Sequence, residues 1–419
     1  MHPKFTITKT TAHGRLGKIE TAHGTIETPA FVFCATKGAL KAQWPNMARE
    51  AGTQIILSNT YHLLVHPGSK LIHELGGLQK ITGWSGPMMS DSGGYQIFSF
   101  GYGSVSSELK GKNKDQERSK ITQARLKITE EGAKFRSYKN GSTIFLTPEV
   151  AMQSQIDFGV DLAFVLDECT AFNIERNKTE KSMHRSHRWA TRSLEYFNKY
   201  KKPHQGAYSI IQGGVYKDLR IISTKFAAEA DSFGIGIGGS MGENIHDMEE
   251  ILKIIHKNND ATHKPIHLLG IGTIDAILMA VKYGIDTFDC VYPTRLARHG
   301  GALIKPHYNT IINSNKTRQS NTIEIKDNTN SASANTRRHY LNLRNAIYEK
   351  DNNPIDISCN CCTCATFSRA YIHMLLKADE TLAIMALTQH NIAFMNRLMS
   401  GIRKALSEDT FEEFKNAWA

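Results

Sequence analysis

IHLLGIGTIDAILMAVKYGIDTFDCV (Ile266–Val291) contains, in succession, the patterns of a strand, a helix and a second strand. The runs IHLLG and TFDCV are short and apolar, as expected of buried strands, and the stretch IDAILMAVKYG between them has the apolar spacing of an amphipathic helix. A strand, a helix and a strand in this order form a unit whose two strands lie parallel in one sheet, joined by a right-handed crossover.

The same alternation recurs along the chain. Other apolar runs with the length of buried strands are AFVFC (Ala30–Cys34), QIILS (Gln54–Ser58), LAFVLD (Leu162–Asp167), YSIIQ (Tyr208–Gln212) and FGIGIG (Phe233–Gly238). Amphipathic stretches such as MEEILKIIHK lie between them. Seven or eight such units, with no GxGxxG at the first strand-to-helix turn, predict an α/β fold that closes into a (β/α)8 TIM-type barrel rather than an open doubly wound sheet.

The composition is that of an ordinary globular protein. The chain has 419 residues, of which 40% are hydrophobic and 22% charged. The first residues do not form a signal peptide, and no stretch approaches the roughly 20 apolar residues of a transmembrane helix, so we expect a cytoplasmic protein without a membrane partner. The formal net charge of +11 favours a polyanionic partner such as a nucleic acid.

Two segments depart from the alternating pattern. Residues 102–127 are dense in both charges, most of all from Glu108 to Lys127, and residues 309–336 are rich in Asn, Ser and Thr. Both are predicted to be surface insertions, flexible or disordered, in a catalytic barrel over residues 1–355. Residues 356–419 are predicted to form a C-terminal subdomain packed on the barrel, with a cysteine cluster followed by helices over roughly Thr366–Lys377 and Glu380–Leu406.

Polar residues stand at the ends of several predicted strands, which is where barrel enzymes carry their functional groups. They are Asp91 ahead of Gly93 and Gly94, Asp167, Gln212 ahead of two glycines, Gly238 in a glycine turn, and Asp289 within TFDCV. Each alone is also typical of a helix cap or a tight turn. Together they predict three carboxylates and an amide on one rim. Two carboxylates can act as nucleophile and general acid/base at an anomeric carbon, and the third, with the amide, suits the edge of a flat heterocycle.

Four of the seven cysteines lie within SCNCCTC (Ser358–Cys364). Cys359, Cys361 and Cys364 form C-x-C-x2-C, which is typical of thiolate ligands to tetrahedral zinc, whereas a disulfide framework does not suit a reducing compartment. Cys362 is expected to point away. His373 and His390 are the two candidates for the fourth ligand, and spacing alone leaves both open. With three cysteines and one histidine the coordination shell is full, so the zinc is predicted to be structural.

Several motifs resemble those of the queuine tRNA-ribosyltransferases, the tRNA-guanine transglycosylases. They are SDSGGYQIFS (Ser90–Ser99), LDECT (Leu166–Thr170), IQGG (Ile211–Gly214), FDCVYPTRLARHG (Phe288–Gly300), CNCCTC (Cys359–Cys364) and SRAYIHMLLKADE…TQHNIAF (Ser368–Phe394). The resemblance runs through nearly the whole chain apart from the two insertions. It implies a (β/α)8 barrel with a zinc subdomain, one structural Zn²⁺ and a homodimer.

The implied reaction belongs to queuosine biosynthesis. The family exchanges the wobble guanine of GUN anticodons, found in the tRNAs for Asp, Asn, His and Tyr, for a 7-deazaguanine. In bacteria that base is 7-aminomethyl-7-deazaguanine (preQ1). A base inside an anticodon loop has to be turned out of its stack before an enzyme can reach it, which agrees with a rim built to grip a heterocycle.

The resemblance also implies a role for each matching residue. Asp289 would be the nucleophile that forms a covalent aspartyl-ribose intermediate, and Asp91 the general acid/base. The base would be bound by Asp91, Ser92, Gly93, Gly94, Tyr95, Asp167, Gln212 and Gly238, with Tyr95 stacking on it. The RNA would be held by Gly270, Ile271, Gly272, Thr273, Ile274, Asp275, Ala276, Thr294, Arg295, Leu296, Ala297 and Arg298. The metal ligands would be Cys359, Cys361, Cys364 and His390, which leaves Cys362 as the spare.

One glycine turn departs from the bacterial pattern. It is GIGGSMGE here, where bacterial members typically have GGLAVGE, so Gly239 stands in place of leucine and Met241 in place of valine. This position lies near the 7-substituent of the incoming base in the family, which leaves preQ1 and queuine both open. Cys169, in DECT, favours preQ1.

Three other functions were considered. A non-catalytic subunit that only binds RNA would lack the nucleophile, and both Asp91 and Asp289 are present. An archaeal-type enzyme would be expected to carry an RNA-binding extension beyond the zinc helices, and this sequence ends at Ala419. A barrel glycosidase acting on free sugars could use the two aspartates, but it would account neither for the basic rim nor for the zinc motif.

Overall fold

The computed structural model describes residues 2–96, 126–137, 139–172, 174–305 and 339–418. The second predicted insertion, 309–336, and most of the first, 102–127, lie outside these ranges. The last two residues of the first insertion were assigned wrongly: Leu126 and Lys127 begin the strand Leu126–Ile128, which pairs antiparallel with Ala133–Arg136. Ala133 and Phe135 of the partner strand are buried, and Leu126 and Ile128 are partly buried. This shared apolar face favours the strand pair, and the charge pattern did not show it.

The described chain divides into two compact units. The first comprises residues 1–40, 54–271 and 276–290, and the second residues 41–53, 272–275 and 291–419. The second unit therefore includes more of the chain than the subdomain predicted over residues 356–419. That division at residue 355 into a barrel and a zinc subdomain stays a prediction.

The first unit contains the predicted barrel. Its eight strands are Ala30–Cys34, Ile56–Ser58, Met88–Ser90, Leu162–Phe164, Gly206–Ile211, Gly234–Ile237, Ile266–Leu268 and Thr287–Cys290. Each pairs in parallel with its neighbours, and Thr287–Cys290 closes the ring by pairing with Ala30–Cys34. The closed parallel barrel is confirmed. Seven strands overlap the apolar runs, and the eighth, Met88–Ser90, is too short to stand out from the sequence.

Helices of the first unit follow the strands in the order expected of a β/α barrel. They are Thr60–Val65, Ser69–Glu74, Leu78–Thr82, Pro148–Phe158, Arg176–Tyr200, Lys217–Glu229 and Ile245–Asn258, and Ile274–Val281 crosses from one unit into the other. Ile245–Asn258 shows why they form. The side chain of Asn244 accepts hydrogen bonds from two free backbone N–H groups of its first turn, and its buried residues recur every three or four positions.

Two antiparallel sheets accompany the barrel. Lys4–Thr11, Gly14–Thr21 and Gly24–Thr28 form the first, and Leu126–Ile128, Ala133–Arg136 and Thr143–Leu146 form the second. Ile19 and Ile26 of the first sheet pack into the same core as the barrel residues Val32 and Leu162. The second sheet packs Phe135 and Leu146 against Tyr61 and Leu166, which lie near the carboxyl ends of barrel strands.

A buried ion pair joins the first sheet to the amino ends of two barrel strands. Asp286, fully buried just ahead of Thr287–Cys290, accepts hydrogen bonds from the guanidinium of Arg15, with Arg15 Nε 3.0 Å from Asp286 Oδ1. Asp286 also accepts from the backbone N–H of Ile266 at 2.7 Å, and Arg15 donates to the carbonyl of Lys264 at 2.8 Å. All these contacts lie at the amino ends of the strands, so their role is structural.

The second unit contains the C-terminal helices. They are Cys362–Thr366, Arg369–Lys377, Thr381–Ser407 and Phe411–Trp418, together with Pro45–Glu50, Tyr292–Arg298 and a 3₁₀ turn at Ala346–Tyr348. The two predicted helices are confirmed with shifted ends, whereas the last helix was not predicted. A hairpin of Gly301–Leu303 and Tyr340–Asn342 belongs to the same unit, and its core includes Ile304, Leu341, Ile372 and Leu387. No helix among the described residues combines the length and the apolar content needed to cross a membrane.

Replacing Asp286 with alanine should lower the free energy of unfolding by about 3–5 kcal/mol, because Arg15 would stay buried without a counter-charge. Chemical denaturation checks the value. Asp260→Ala is the matched control, since Asp260 is exposed and its loss should change the free energy by less than about 0.5 kcal/mol. Equal, small effects of the two substitutions would contradict a structural role for the ion pair.

Candidate active site and metal centre

Asp91 follows the strand Met88–Ser90 and is held by donors from the neighbouring strand end. Its carboxylate accepts from Asn59 Nδ2 at 2.5 Å and from the backbone N–H groups of Thr60 and Gly93, each at 3.0 Å. Asn59 also caps the helix Thr60–Val65 by accepting from the backbone N–H of His62. The chain turn that starts this helix therefore fixes the orientation of Asp91.

Burial raises the pKa of Asp91 to about 7, against the effect of the hydrogen bonds from Thr60 and Gly93, and the nearby charge of Asp289 raises it further. Asp91 and Asp289 both lie at the carboxyl ends of barrel strands, Met88–Ser90 and Thr287–Cys290, so the two carboxylates share one rim. A carboxyl group with a pKa near neutrality can both donate and accept a proton at physiological pH.

Asp289 lies at the carboxyl end of Thr287–Cys290 and is buried. Its Oδ1 accepts from the backbone N–H of Gly270 at 3.0 Å and lies 3.1 Å from His267 Nε2. The thiol of Cys34 lies 3.5 Å from its Oδ2. Gly270, which was predicted to bind RNA, therefore contacts the predicted nucleophile in this structure.

Asp167 is the third carboxylate of the rim and is buried, as Asp289 is. It accepts from Gln212 Nε2 at 2.6 Å, from Ser92 Oγ at 3.2 Å and from the thiol of Cys169 at 3.3 Å. Burial raises its pKa, against the effect of these hydrogen bonds. A buried carboxylate beside an amide can accept two N–H groups from the edge of a flat base, which is the arrangement predicted for Asp167 and Gln212.

Two glycines bring the chain against this group so closely that no side chain fits. A Cβ at Gly94 would lie 2.6 Å from Asp167 Oδ1, and one at Gly239 would lie 2.6 Å from Gln212 Oε1. Gly239 also has a φ of +73°, which other residues rarely adopt. At Gly238 a Cβ would lie 3.1 Å from Gln212 Nε2. These close approaches fix the path of the backbone around Asp167 and Gln212. The N–H of Gly238 donates to the carbonyl of Ile211 at 3.0 Å, and its carbonyl accepts from Arg220 Nη1 at 2.9 Å.

The predicted site residues of the first unit thus converge. Asp91, Ser92, Gly93, Gly94, Asp167, Gln212, Gly238 and Asp289 occupy the carboxyl ends of five barrel strands. Tyr95 follows them with 44% of its surface exposed, as a ring that stacks on a ligand would be. The structure brings these groups together, while their individual roles remain predictions.

The predicted RNA-binding residues differ in exposure. Arg295 is exposed and Arg298 is partly buried, so both guanidinium groups can reach solvent. Burial lowers the pKa of Arg298, and the charge of Arg295 lowers it further. Thr294 and Ala297 are buried, so their side chains support the helix Tyr292–Arg298 from inside. In the segment Gly270–Ala276, exposed and buried residues alternate through Ile271, Gly272, Thr273, Ile274 and Asp275.

Other residues of the site were not identified from the sequence. Asn59 and Thr60 hold Asp91, and Cys34 and His267 contact Asp289, but each lies in an apolar run or beside one and carries no motif. Arg220 is also among them. Fully buried in the helix Lys217–Glu229, it donates to the carbonyls of Gly214 at 2.7 Å, Gly238 at 2.9 Å and Ser240 at 2.8 Å.

Arg220 thereby ties together the two glycine turns that border Gln212. Burial lowers its pKa to about 9, which still leaves the guanidinium charged at neutral pH. A peptide unit that turns its carbonyl toward Arg220 turns its N–H the opposite way. Arg220 therefore orients the peptide units of both turns.

The four predicted metal ligands form one cluster in the second unit. The ligand atoms of Cys359, Cys361, Cys364 and His390 all lie within 4.8 Å of one another. His390 Nδ1 lies 3.2 Å from Cys364 Sγ and 3.7 Å from Cys361 Sγ, while His390 Nε2 donates to the carbonyl of Leu303 at 2.7 Å. That bond leaves Nδ1 free to coordinate, the usual arrangement for a metal-binding histidine.

The structure also decides between the two candidate histidines. His373 Nδ1 lies 2.8 Å from the carbonyl of Leu343, outside the cluster, and Cys362 is exposed. Three thiols and one imidazole at these separations fit a tetrahedral ion with metal–sulfur distances of about 2.3 Å. The cluster can therefore hold a metal ion, and the chemistry of its donors favours zinc.

A closed β/α barrel with carboxylates at the carboxyl ends of its strands is an arrangement that suits enzymes that transfer glycosyl groups. A sequence profile of one family of this class, described as queuine tRNA-ribosyltransferase, matches residues 10–419. Proteins named queuine tRNA-ribosyltransferase are similar to the chain over nearly its whole length. That of Roseiflexus sp. (strain RS-1) is 38% identical and covers 97% of this chain and 96% of its own. That of Chlamydia pneumoniae is 38% identical and covers 95% of this chain and 96% of its own. That of Vibrio atlanticus (strain LGP32) is 35% identical and covers 99% of this chain and 95% of its own.

The chain therefore belongs to the queuine tRNA-ribosyltransferase family. The enzymes of this family are tRNA-guanine transglycosylases, which makes the protein a pentosyltransferase.

Replacing Cys364 with serine should remove the bound metal, because a neutral hydroxyl is a poor substitute for a thiolate ligand. We expect the purified protein to contain one zinc ion per chain and the variant to contain far less, as measured by elemental analysis after dialysis. Cys362→Ser is the matched control, since it changes an adjacent, exposed cysteine and should keep the full zinc content. Equal zinc loss in both variants would contradict the ligand set.

Proposed function

We propose that this protein exchanges the wobble guanine of GUN anticodons for a 7-deazaguanine, with Asp289 as nucleophile and Asp91 as general acid/base. The observation that carries the proposal is that Asp91 and Asp289 lie, each held by hydrogen bonds, at the carboxyl ends of barrel strands, on the rim that also carries Asp167 and Gln212. One carboxylate attacks a sugar carbon, the other exchanges a proton with the departing base, and Asp167 with Gln212 binds the base.

The first step forms a covalent intermediate. A carboxylate oxygen of Asp289 bonds to the ribose C1′ of the flipped nucleotide, and the bond from C1′ to guanine breaks. The bonding electron pair leaves with guanine, which takes up the proton of Asp91. Asp167, Gln212 and the backbone near Gly238 hold the base by its hydrogen-bonding edge, and Tyr95 stacks on its face.

The second step reverses the first with a new base. The incoming base gives its proton to Asp91 and bonds to C1′, while the carboxylate of Asp289 departs. Two displacements at the same carbon retain its configuration. We propose preQ1 as the incoming base because Cys169 lies against Asp167 and Gln212, as the resemblance to the bacterial enzymes implies. Queuine is the alternative, because Gly239 and Met241 change the turn that borders the substituent.

We also propose how the protein binds RNA, what its zinc site does and how it assembles. Exposed Arg295 and half-buried Arg298 suit phosphate contacts, with the Gly270–Ala276 segment as a second RNA contact. A structural Zn²⁺ on Cys359, Cys361, Cys364 and His390 would hold the C-terminal helices in place. We further propose a cytoplasmic homodimer, which light scattering of the purified protein would test.

Labelled guanine should enter an unmodified tRNA with a GUN anticodon, and not the same tRNA with its wobble guanine replaced. Guanine exchange tests the reaction without assuming the natural base, and competition by preQ1 and by queuine then identifies that base. Asp289→Asn should abolish both the label and the covalent adduct while tRNA binding is kept. If wild-type protein that is folded and zinc-loaded binds tRNA but takes up no label, the protein is a binding subunit instead. A wild-type exchange rate in Asp289→Asn would remove Asp289 from the nucleophile role.

The two half-reactions should depend on pH in opposite directions around pH 7. Adduct formation needs Asp91 protonated, so its rate should fall about tenfold per pH unit as pH rises above the pKa of about 7. Breakdown of isolated adduct by guanine needs Asp91 ionised, so its rate should rise through the same range and level off above it. Single-turnover measurements between pH 5.5 and 8.5, roughly the interval over which such a group titrates, check both limbs.

Asp91→Asn serves as the control for this titration. It keeps the shape of the side chain but cannot titrate, so both rates should be low and flat with pH. Parallel pH dependences for the two steps in the wild-type protein would contradict the role given to Asp91.

A further inference from the structure

We propose that Oδ2 of Asp289 is the oxygen that bonds to the ribose, and that His267 is a positioning residue that holds Oδ1. The proposal rests on the proposed function, since it refines the role of Asp289 as nucleophile. It begins from the unequal surroundings of the two carboxylate oxygens.

Oδ1 is occupied by two nitrogen donors. The backbone N–H of Gly270 lies 3.0 Å away, and Nε2 of His267 lies 3.1 Å away. The only group found within hydrogen-bonding distance of Oδ2 among the described residues is the thiol of Cys34, at 3.5 Å, and a thiol is a weak donor. Because each hydrogen bond stabilises the lone pairs that it engages, Oδ2 keeps the more available electron pair for attack on C1′.

The pairing of two barrel strands brings the ring of His267 within hydrogen-bonding distance of both Thr287 and Asp289. His267 lies opposite Thr287 in the parallel pairing, and residues two apart on a strand point to the same face. Thr287 Oγ1 lies 2.8 Å from His267 Nδ1. A carboxylate next to Nε2 requires the proton on that nitrogen, and the hydroxyl of Thr287 can donate to Nδ1. The carboxylate therefore selects the tautomer that donates to Asp289, and the hydroxyl of Thr287 supports it by holding the other ring nitrogen.

His267 cannot turn away from this position. It is completely buried, and its ring packs against Phe164 and Tyr208, with ring centroids 5.3 Å and 6.5 Å away. The structure gives no surface on which this histidine could contact tRNA. Its one polar link to the chemistry is through Asp289, so its effect is to fix the carboxylate with Oδ2 toward the sugar.

The contact with Oδ1 should matter most when the adduct breaks down. As the incoming base bonds to C1′, the bond from Oδ2 to C1′ breaks and its electron pair returns to the carboxylate. The two donors at Oδ1 then stabilise the negative charge that spreads onto that oxygen. In adduct formation the same donors only orient the group, because there the carboxylate loses charge.

The test compares the two single-turnover steps in four variants. His267→Phe keeps a ring of similar size and removes the donor. We expect adduct breakdown by guanine to slow by about tenfold or more and adduct formation to slow less, with tRNA affinity and melting temperature nearly unchanged. His267→Gln restores a side-chain N–H and should recover part of the loss. Thr287→Val removes only the hydroxyl and should show the same order of effects, smaller in size.

Cys34→Ala is the matched control on the other oxygen. It deletes the contact with Oδ2 and leaves both donors at Oδ1, so the ratio of the breakdown rate to the formation rate should stay within about twofold of the wild-type ratio. If Cys34→Ala slows breakdown and His267→Phe does not, the assignment of the two oxygens is reversed and the proposal is wrong. Equal slowing of both steps in His267→Phe, without recovery in His267→Gln, would reduce His267 to a packing residue. If the wild-type protein forms no adduct, the proposed function fails instead, so the two failures are distinguishable.

Discussion

The site depends on three carboxylates that are kept in place, largely out of water, by donors from neighbouring strands. Asp91 is held by Asn59 and Thr60, Asp167 by Gln212 and Ser92, and Asp289 by Gly270 and His267. A carboxylate is stable in such surroundings only if its oxygens accept hydrogen bonds, so each one fixes the chain around it. Because successive strands of a parallel barrel end on the same rim, the groups that satisfy these carboxylates also bring them together.

At the amino ends of the strands, a buried carboxylate is also stabilised by its partners, but there its role is structural. There Asp286 is completely buried, and its carboxylate is paired with the guanidinium of Arg15. Asp289, three residues further along the chain, has no arginine or lysine among its hydrogen-bonding partners in the described part of the protein. The strand Thr287–Cys290 thus has an aspartate in an ion pair just ahead of its amino end and a second, without such a partner, near its carboxyl end. The difference lies in the partners rather than in the residue type.

Much of the fold and of the site could be predicted from the sequence. Apolar runs such as AFVFC and IHLLG coincide with barrel strands because buried parallel strands leave few polar positions, and the spacing in C-x-C-x2-C fixed three of the four metal ligands. The fourth required knowledge of which histidine the helix Thr381–Ser407 brings back to the cysteines. The strand Met88–Ser90 was too short to recognise. Asn59, His267 and Arg220 could not be predicted because their importance lies in contacts with residues distant in the chain.

The hairpin of Gly301–Leu303 and Tyr340–Asn342 has a consequence for how this protein can vary. Leu303 and Tyr340 are paired residues, and the carbonyl of Leu303 accepts the hydrogen bond that orients His390. The hairpin thus fixes both ends of the connection that leaves it at residue 304 and returns at 339. Closing a longer connection costs free energy only in proportion to the logarithm of its length. Evolution could therefore lengthen or shorten this part of the chain without disturbing the metal centre, and the same position would accept an inserted tag or a reporter domain.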